Sequence, residues 1–175
     1  MAYPGAQVVL LASLGGTKTR VQVDLGFGDR VDPVDQSIEL TRTPKGPLFE
    51  SEVQLLCYPK EFIFAEKLET VVYRGGGNSR MKDFHDLYSL ISEPNFLDVK
   101  GVSSIIQGVF QHRNTSLGGL PIQFEPKAGQ QISAQWTNYH KELLASHPHT
   151  PVPSSFEEVV THINKWLDRH LYQGV

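Results

Sequence analysis

Lys67, Asp83 and Asp86 are the residues of this chain whose types and spacing best suit chemistry. The sequence places the lysine on one helix and both aspartates on the next, joined by the short run Gly75-Gly76-Gly77. An ammonium gathered with carboxylates suits work on a phosphate, where charge neutralisation and positioning do most of the catalysis. Lys67 lies beside the apolar stripe Phe64, Leu68, Val71 and Val72, one turn from Ile63 and Val71. Its methylene stem can follow the core while the ammonium reaches a cleft edge. The ordinary alternative is a surface lysine paired with Glu66 or Glu69, because exposed lysines are the rule. Asp83 and Asp86 stand three residues apart and share a helix face. Asp83 falls in the first helical turn, where a carboxylate suits the helix dipole. Asp86 lies deeper, with Lys82 as its ordinary i, i+4 partner. A functional role for either is general base or orienter of the lysine.

Three further features carry weaker signals. Asp24 ends an alternating strand just before Gly26 and Gly28. A carboxylate there can ligate magnesium, which prefers oxygen, or can simply start a turn. The run Gly75 to Arg80, GGGNSR, can offer backbone N–H groups to a phosphate, with Arg74 and Arg80 flanking it. It can equally be a plain turn between helices. His85 sits between the two aspartates but on another face, and no second ligand follows at metal spacing. It reads as an exposed or aromatic-packed histidine. The other six of the seven histidines are scattered, so zinc is not expected.

The elements that must position these residues follow from periodicity. Gln7 to Leu14 and Thr19 to Leu25 read as a β-hairpin around Gly15-Gly16. Val21, Val23 and Leu25 would face one side, and Arg20, Gln22 and Asp24 the other. Ser37 to Thr41 and Glu52 to Cys57 read as strands. Pro59 opens a helix that runs to about Tyr73 and stops at the glycines. Asn78 or Ser79 caps the next helix, which ends near Ile91 before Pro94. Val99 to Gln111, Gln131 to Ala145 and Ser155 to Tyr172 show helical spacing, the last with a Ser155/Glu158 capping box. Gly118 to Gly129 and His147 to Ser154 read as loops.

The bulk properties narrow the classes. At 175 residues, the chain fits one domain or one domain with a helical extension. The net charge of −3 gives no drive toward indiscriminate nucleic-acid or membrane binding. Lys60, Lys67, Arg74, Arg80 and Lys82 still cluster in sequence as a candidate basic patch. Cys57 is the only cysteine, which excludes an intramolecular disulfide and a thiolate zinc site. No apolar run is long enough to span a bilayer, and the N-terminus lacks the basic start of a signal peptide. The expected setting is cytoplasmic.

Tyr58-Pro59, Ala65-Glu66-Lys67-Leu68, Arg74-Gly75, Asn78-Ser79-Arg80 and Lys82-Asp83-Phe84-His85-Asp86-Leu87 together resemble the AbiEii/AbiGii-type nucleotidyltransferase toxins. Glu61 stands one place from the strictest form of the pattern, and His85 stands where tyrosine is more usual. VQVDLGFGDRVDP resembles the strand and loop preceding that motif. FQHRNTSLGGLP and the segment around Gln135-Trp136 resemble the helical C-terminal portion.

The resemblance implies an α/β protein: a partial nucleotidyltransferase-like fold over residues 1–95, with a short antiparallel or mixed sheet and helices, then a helical region over 96–175. It implies Mg²⁺-dependent transfer of a nucleotide from an NTP to RNA, with tRNA 3′ ends a leading candidate acceptor. It also implies a cognate antitoxin and an abortive-infection role in phage defence. By the same carry-over, Lys67 contacts the NTP phosphates, with Arg74 and Arg80 nearby. Asp83 or Asp86 acts as base or positioning carboxylate, and Asp24 completes the metal site. The family's first motif, a Gly-Gly or Gly-Ser helix start followed by Asp-x-Asp on a strand, is not found here. Asp29, Asp32 and Asp35 follow the Asp24 strand, in the wrong order for it. The expectation is therefore a C-terminal part of the family domain, inactive alone. Its hairpin would have an unpaired edge, and the helix bearing Phe62, Phe64 and Leu68 would lack part of its cover. A partner or a homo-oligomer would hide that surface. The competing expectations are a non-catalytic partner- or RNA-binding protein, and a metal-dependent nuclease using Asp24, Asp83 and Asp86.

Overall fold

A computed structural model describes residues 5–28, 31–38, 42–47, 52–94 and 96–172 of the protein. The chain packs as two units, Met1–Val31 and Asp32–Val175. The first unit is the expected hairpin. Strand β1 (Gly5–Leu14) pairs antiparallel with β2 (Thr17–Gly26), and Leu14 stands opposite Thr17 across the two-glycine turn. Gly15 takes φ +58 there, a left-handed conformation that glycine enters without steric cost. The register sets Val8 opposite Val23 and Leu10 opposite Val21, so these four side chains share one face, while Val9 and Leu11 stand on the other opposite Gln22 and Arg20. Those residues are all exposed.

The second unit is dominated by helices. Strand β3 (Val34–Ile38) pairs antiparallel with β6 (Val53–Cys57), and β4 (Arg42–Thr43) with β5 (Gly46–Pro47). The strand read from Ser37 thus starts three residues earlier, at Val34, and includes Ser37 and Ile38. Its partner decides this, because the five residues of β6 set Val34 opposite Cys57 and Ile38 opposite Val53. Residues 39–41 lie outside the described residues.

Helix α1 (Lys60–Arg74) starts directly after Pro59, whose carbonyl accepts from the N–H groups of Phe62 and Ile63. Pro59 is therefore the N-cap, one place outside the first turn. Gly75, at φ +50, ends the helix and returns its N–H to the Val71 carbonyl. A 3₁₀ turn over Gly75–Gly77 leads to α2 (Met81–Ser92). Arg80 is the N-cap of α2 and no side chain caps it, so neither Asn78 nor Ser79 takes that place; the Asn78 side chain instead accepts from the Arg80 N–H at 2.9 Å and closes the turn ahead of the helix. Helix α3 (Val99–His112) follows. Helix α4 (Pro126–Ser146) begins five residues earlier than its apolar spacing suggests. Pro126 suits a first helical position, and Gly129 is absorbed in the first turns. Helix α5 (Phe156–Leu167) continues into a π-helical turn, Asp168–Tyr172. Ser155 caps it by accepting from the Glu158 N–H.

One core runs through all five helices. Phe64, Leu68 and Val71 of α1 meet Phe84 and Leu87 of α2, Val102, Ile106 and Phe110 of α3, Trp136 of α4, and Val159, Ile163 and Leu167 of α5. Phe64 and Leu68 are each 0% exposed, so α1 does not lack the cover the sequence suggested. Trp166 supplies part of it, 4.8 Å from Phe64 between ring centroids. Residues on both sides of position 95 share this core.

The glycine turn is tightly seated. A Cβ added at Gly76 would lie 2.8 Å from the Ala128 Cβ, whereas one at Gly77 meets nothing within 4 Å. Alanine has no rotamer with which to move aside, so backbone must shift. Gly76→Ala should cost ~1–3 kcal/mol in urea denaturation, and Gly77→Ala well under half as much. Equal effects of the two substitutions would contradict this packing.

Candidate active site

The site starts with charge placement on α1. Glu66, Lys67 and Glu69 sit within one turn, and the structure sends them two ways. Lys67 turns to α2, where its Nζ lies 2.6 Å from Asp86 Oδ2 and 3.5 Å from Asp83 Oδ1. The Lys67 and Asp86 side chains are about a quarter exposed, at 24% and 26%, and Asp83 is 3% exposed. The three residues singled out by type and spacing are thus one cluster. Asp83 also faces Arg80, whose Nε lies 2.9 Å from its Oδ2. That approach is off the hydrogen-bonding direction. The buried Oδ2 therefore has charge compensation but no hydrogen bond among the described residues.

The partners first expected for Lys67 turn elsewhere. Glu69 is buried and meets Arg113 Nη1 at 3.0 Å, while Glu66 meets Arg113 Nη2 at 3.3 Å. Thr115 donates its hydroxyl to Glu69, and Tyr58 donates its own to Glu66. One guanidinium at the end of α3 thereby clamps two carboxylates of α1, a use for which its fork of donors is suited. This leaves the Lys67 ammonium to the aspartates.

The other candidates disperse. Arg80 is more than half exposed beside Asp83, and Arg74 is exposed at the last turn of α1. Both flank the glycine turn, as read from the sequence. Lys60 lies over the Phe96 ring at 4.5 Å, so it serves packing rather than a basic patch. Asp24 belongs to the hairpin unit, where its carboxylate accepts from Gln7 at 2.9 Å and from Gln22 at 3.3 Å. Asp29 lies outside the described residues. A divalent ion needs several oxygen ligands. No three His, Cys, Asp or Glu side chains gather as such a site among the described residues. Asp83 and Asp86 are already compensated by Lys67, so these residues do not by themselves make a metal centre.

His85 packs against Tyr139 of α4, with ring centroids 5.9 Å apart and 2.8 Å between its Nδ1 and the phenol oxygen. The aromatic-packed reading of this histidine is the one found. Burial pushes His85 below the ordinary imidazole range, the Asp86 charge pulls it back, and Lys82 lowers it again. Burial, then the Asp86 charge, push the Tyr139 phenol up. His162, beside Tyr88, is lowered by burial and then by Arg169 and Lys165.

The lysine–carboxylate cluster and its supports fall within a family match. The family model described as nucleotidyl transferase AbiEii toxin, type IV toxin–antitoxin system, matches residues 2–162. The chain belongs to the AbiEii family. Comparison with curated proteins and with solved structures finds no match. Family membership brings a nucleotidyltransferase-toxin character and, with it, an antitoxin and a nucleotide substrate. No helix among the described residues is long and apolar enough to cross a membrane. In this AbiEii-family chain, what sequence reasoning missed is the pairing of Glu69 with Arg113 and Thr115. The Glu69 partners lie 44 and 46 residues away, and no local pattern announces such a pairing.

The lowered histidines set a pH dependence. The unfolded chain protonates His85 and His162 near pH ~6.5, before the folded chain does. Their stability contribution is complete above that pH and is lost as pH falls through it. Urea denaturation between about pH 7.5 and pH 5.5 should show this decline, and His85→Gln should shrink it. A profile unchanged by His85→Gln would contradict the assignment.

Proposed function

We propose that the chain takes part in transfer of a nucleotide from Mg²⁺–NTP to an RNA hydroxyl, with a tRNA 3′ end as the leading acceptor. The observation that supports this most is the Lys67 ammonium held between α1 and α2 by Asp86 and Asp83. Held there and a quarter exposed, it is a fixed positive charge at the surface of a packed core. In the proposed step the acceptor oxygen bonds the α-phosphorus, the bond to the bridging oxygen breaks, and pyrophosphate leaves. Lys67 offsets phosphate charge, with Arg74 and Arg80 beside the glycine turn. Asp86, the more exposed carboxylate, takes the hydroxyl proton as general base. Asp83 is buried and positions Lys67.

Magnesium enters as part of the substrate, since it keeps substrate phosphates and water among its ligands and needs few carboxylates. Asp24 is the proposed carboxylate for it, by family likeness. The proposal takes residues 1–95 as a nucleotidyltransferase-like part and 96–175 as a helical part, acting in the cytoplasm in phage defence.

Calorimetry with Mg²⁺–NTP tests the phosphate role. A charge-assisted contact is worth ~1.5–3 kcal/mol, so Lys67→Ala should weaken binding roughly 10–100-fold. Binding unaffected by Lys67→Ala would overturn the reading. So would RNA cleavage that needs Mg²⁺ but no NTP, which is the behaviour of a nuclease.

A further inference from the structure

The lysine cluster accounts for phosphate but leaves the rest of a nucleotide without a seat. The polar side of α2 offers one. At about 100° per residue, Asp83, Asp86, Lys82 and His85 follow one another around that side. The series therefore leads from the Lys67 ammonium to the His85 ring. Tyr139 reaches the same place from α4, with 2.8 Å between its phenol oxygen and His85 Nδ1. Both residues are half-buried. The Asp86 charge is felt at both rings, as well as lying 2.6 Å from Lys67 Nζ.

These two rings are firmly backed. Trp136, 0% exposed, lies 5.5 Å behind Tyr139 and 5.9 Å from Phe156 between centroids. Its indole N–H donates to the Pro153 carbonyl at 3.1 Å, fixing the ring in place. Phe156 in turn meets Phe84 of α2 at 4.9 Å. An aromatic series thus runs from the core to the surface and ends beside the charged cluster. Phe124 and Tyr88, at the margin of the same core, are half-buried as well. His85 and Tyr139 combine that partial exposure with polar edges and with the charge of Asp86, the carboxylate that also holds the Lys67 ammonium.

We propose that the His85 ring, braced by Tyr139 whose plane is tilted 60° from it, forms the platform on which the nucleobase of a bound nucleoside triphosphate stacks, beside the Lys67 phosphate site. A nucleobase matches the rings because it too has an apolar face and a hydrogen-bonding edge. The inference rests on the phosphate reading of Lys67.

The test compares Mg²⁺-bound ATP, GTP, CTP and UTP with Mg²⁺-bound inorganic tripolyphosphate, by calorimetry on the full chain. Tripolyphosphate carries the phosphates without a base. His85→Ala should weaken binding of at least one NTP roughly 5–100-fold and leave tripolyphosphate binding as it was. His85→Tyr keeps a ring and should retain most of the NTP affinity, and Tyr139→Phe likewise. Thermal melts confirm that each variant is folded. Equal weakening of both ligands by His85→Ala, or of neither, would overturn the platform while leaving the phosphate site standing. Tripolyphosphate binding indifferent to Lys67→Ala would overturn the phosphate reading instead. Failure of the unaltered chain to bind either ligand would overturn both.

Discussion

A lysine ammonium partly sheltered between two helices needs compensating charge, and Lys67 finds it on Asp86 and Asp83. The need is mutual. Asp83 is 3% exposed, and a buried carboxylate without a partner costs several kcal/mol by order of magnitude. Lys67 and Arg80 approach it from two directions. The cluster therefore ties α1 to α2 across the glycine turn, and the same contacts hold the lysine at the surface. Stability and the phosphate role proposed for Lys67 draw on one set of charges here.

The opposite side of α1 makes this arrangement selective. Glu66 and Glu69 are nearer to Lys67 in sequence than either aspartate, yet both belong to Arg113. A guanidinium spreads its donors in a plane and can serve two carboxylates at once. By drawing both glutamates toward α3, it leaves Lys67 to α2. Exposed ion pairs add little to stability. Glu69, at 5% exposure, is different, because its carboxylate has left water and depends on Arg113 and Thr115.

The cluster was legible in the sequence because its parts are local. Two helices joined by three glycines must lie side by side, and helical spacing then brings Lys67 near Asp83 and Asp86. The hairpin was legible too, since alternation and a double glycine leave few alternatives. Other features depend on the rest of the fold. Gly129 looked like a loop residue, but Pro126 had already started α4. The position of β3 follows from its partner β6 rather than from its own composition. The cover over Phe64 comes from Trp166, about a hundred residues later, and no local pattern links the two. Arg113 stood in a segment that resembles the family, but nothing local tied it to Glu66 and Glu69 on α1.

The central claim is that Lys67 and Asp83 are energetically coupled across the α1–α2 junction. A double-mutant cycle with Lys67→Met and Asp83→Asn, followed by urea denaturation, measures that coupling directly. The account predicts an interaction energy of about 1–3 kcal/mol, with the double variant less destabilised than the sum of the single variants. Strict additivity of the two substitutions would contradict it, because Lys67 would then be a solvated lysine that merely stands near the carboxylates.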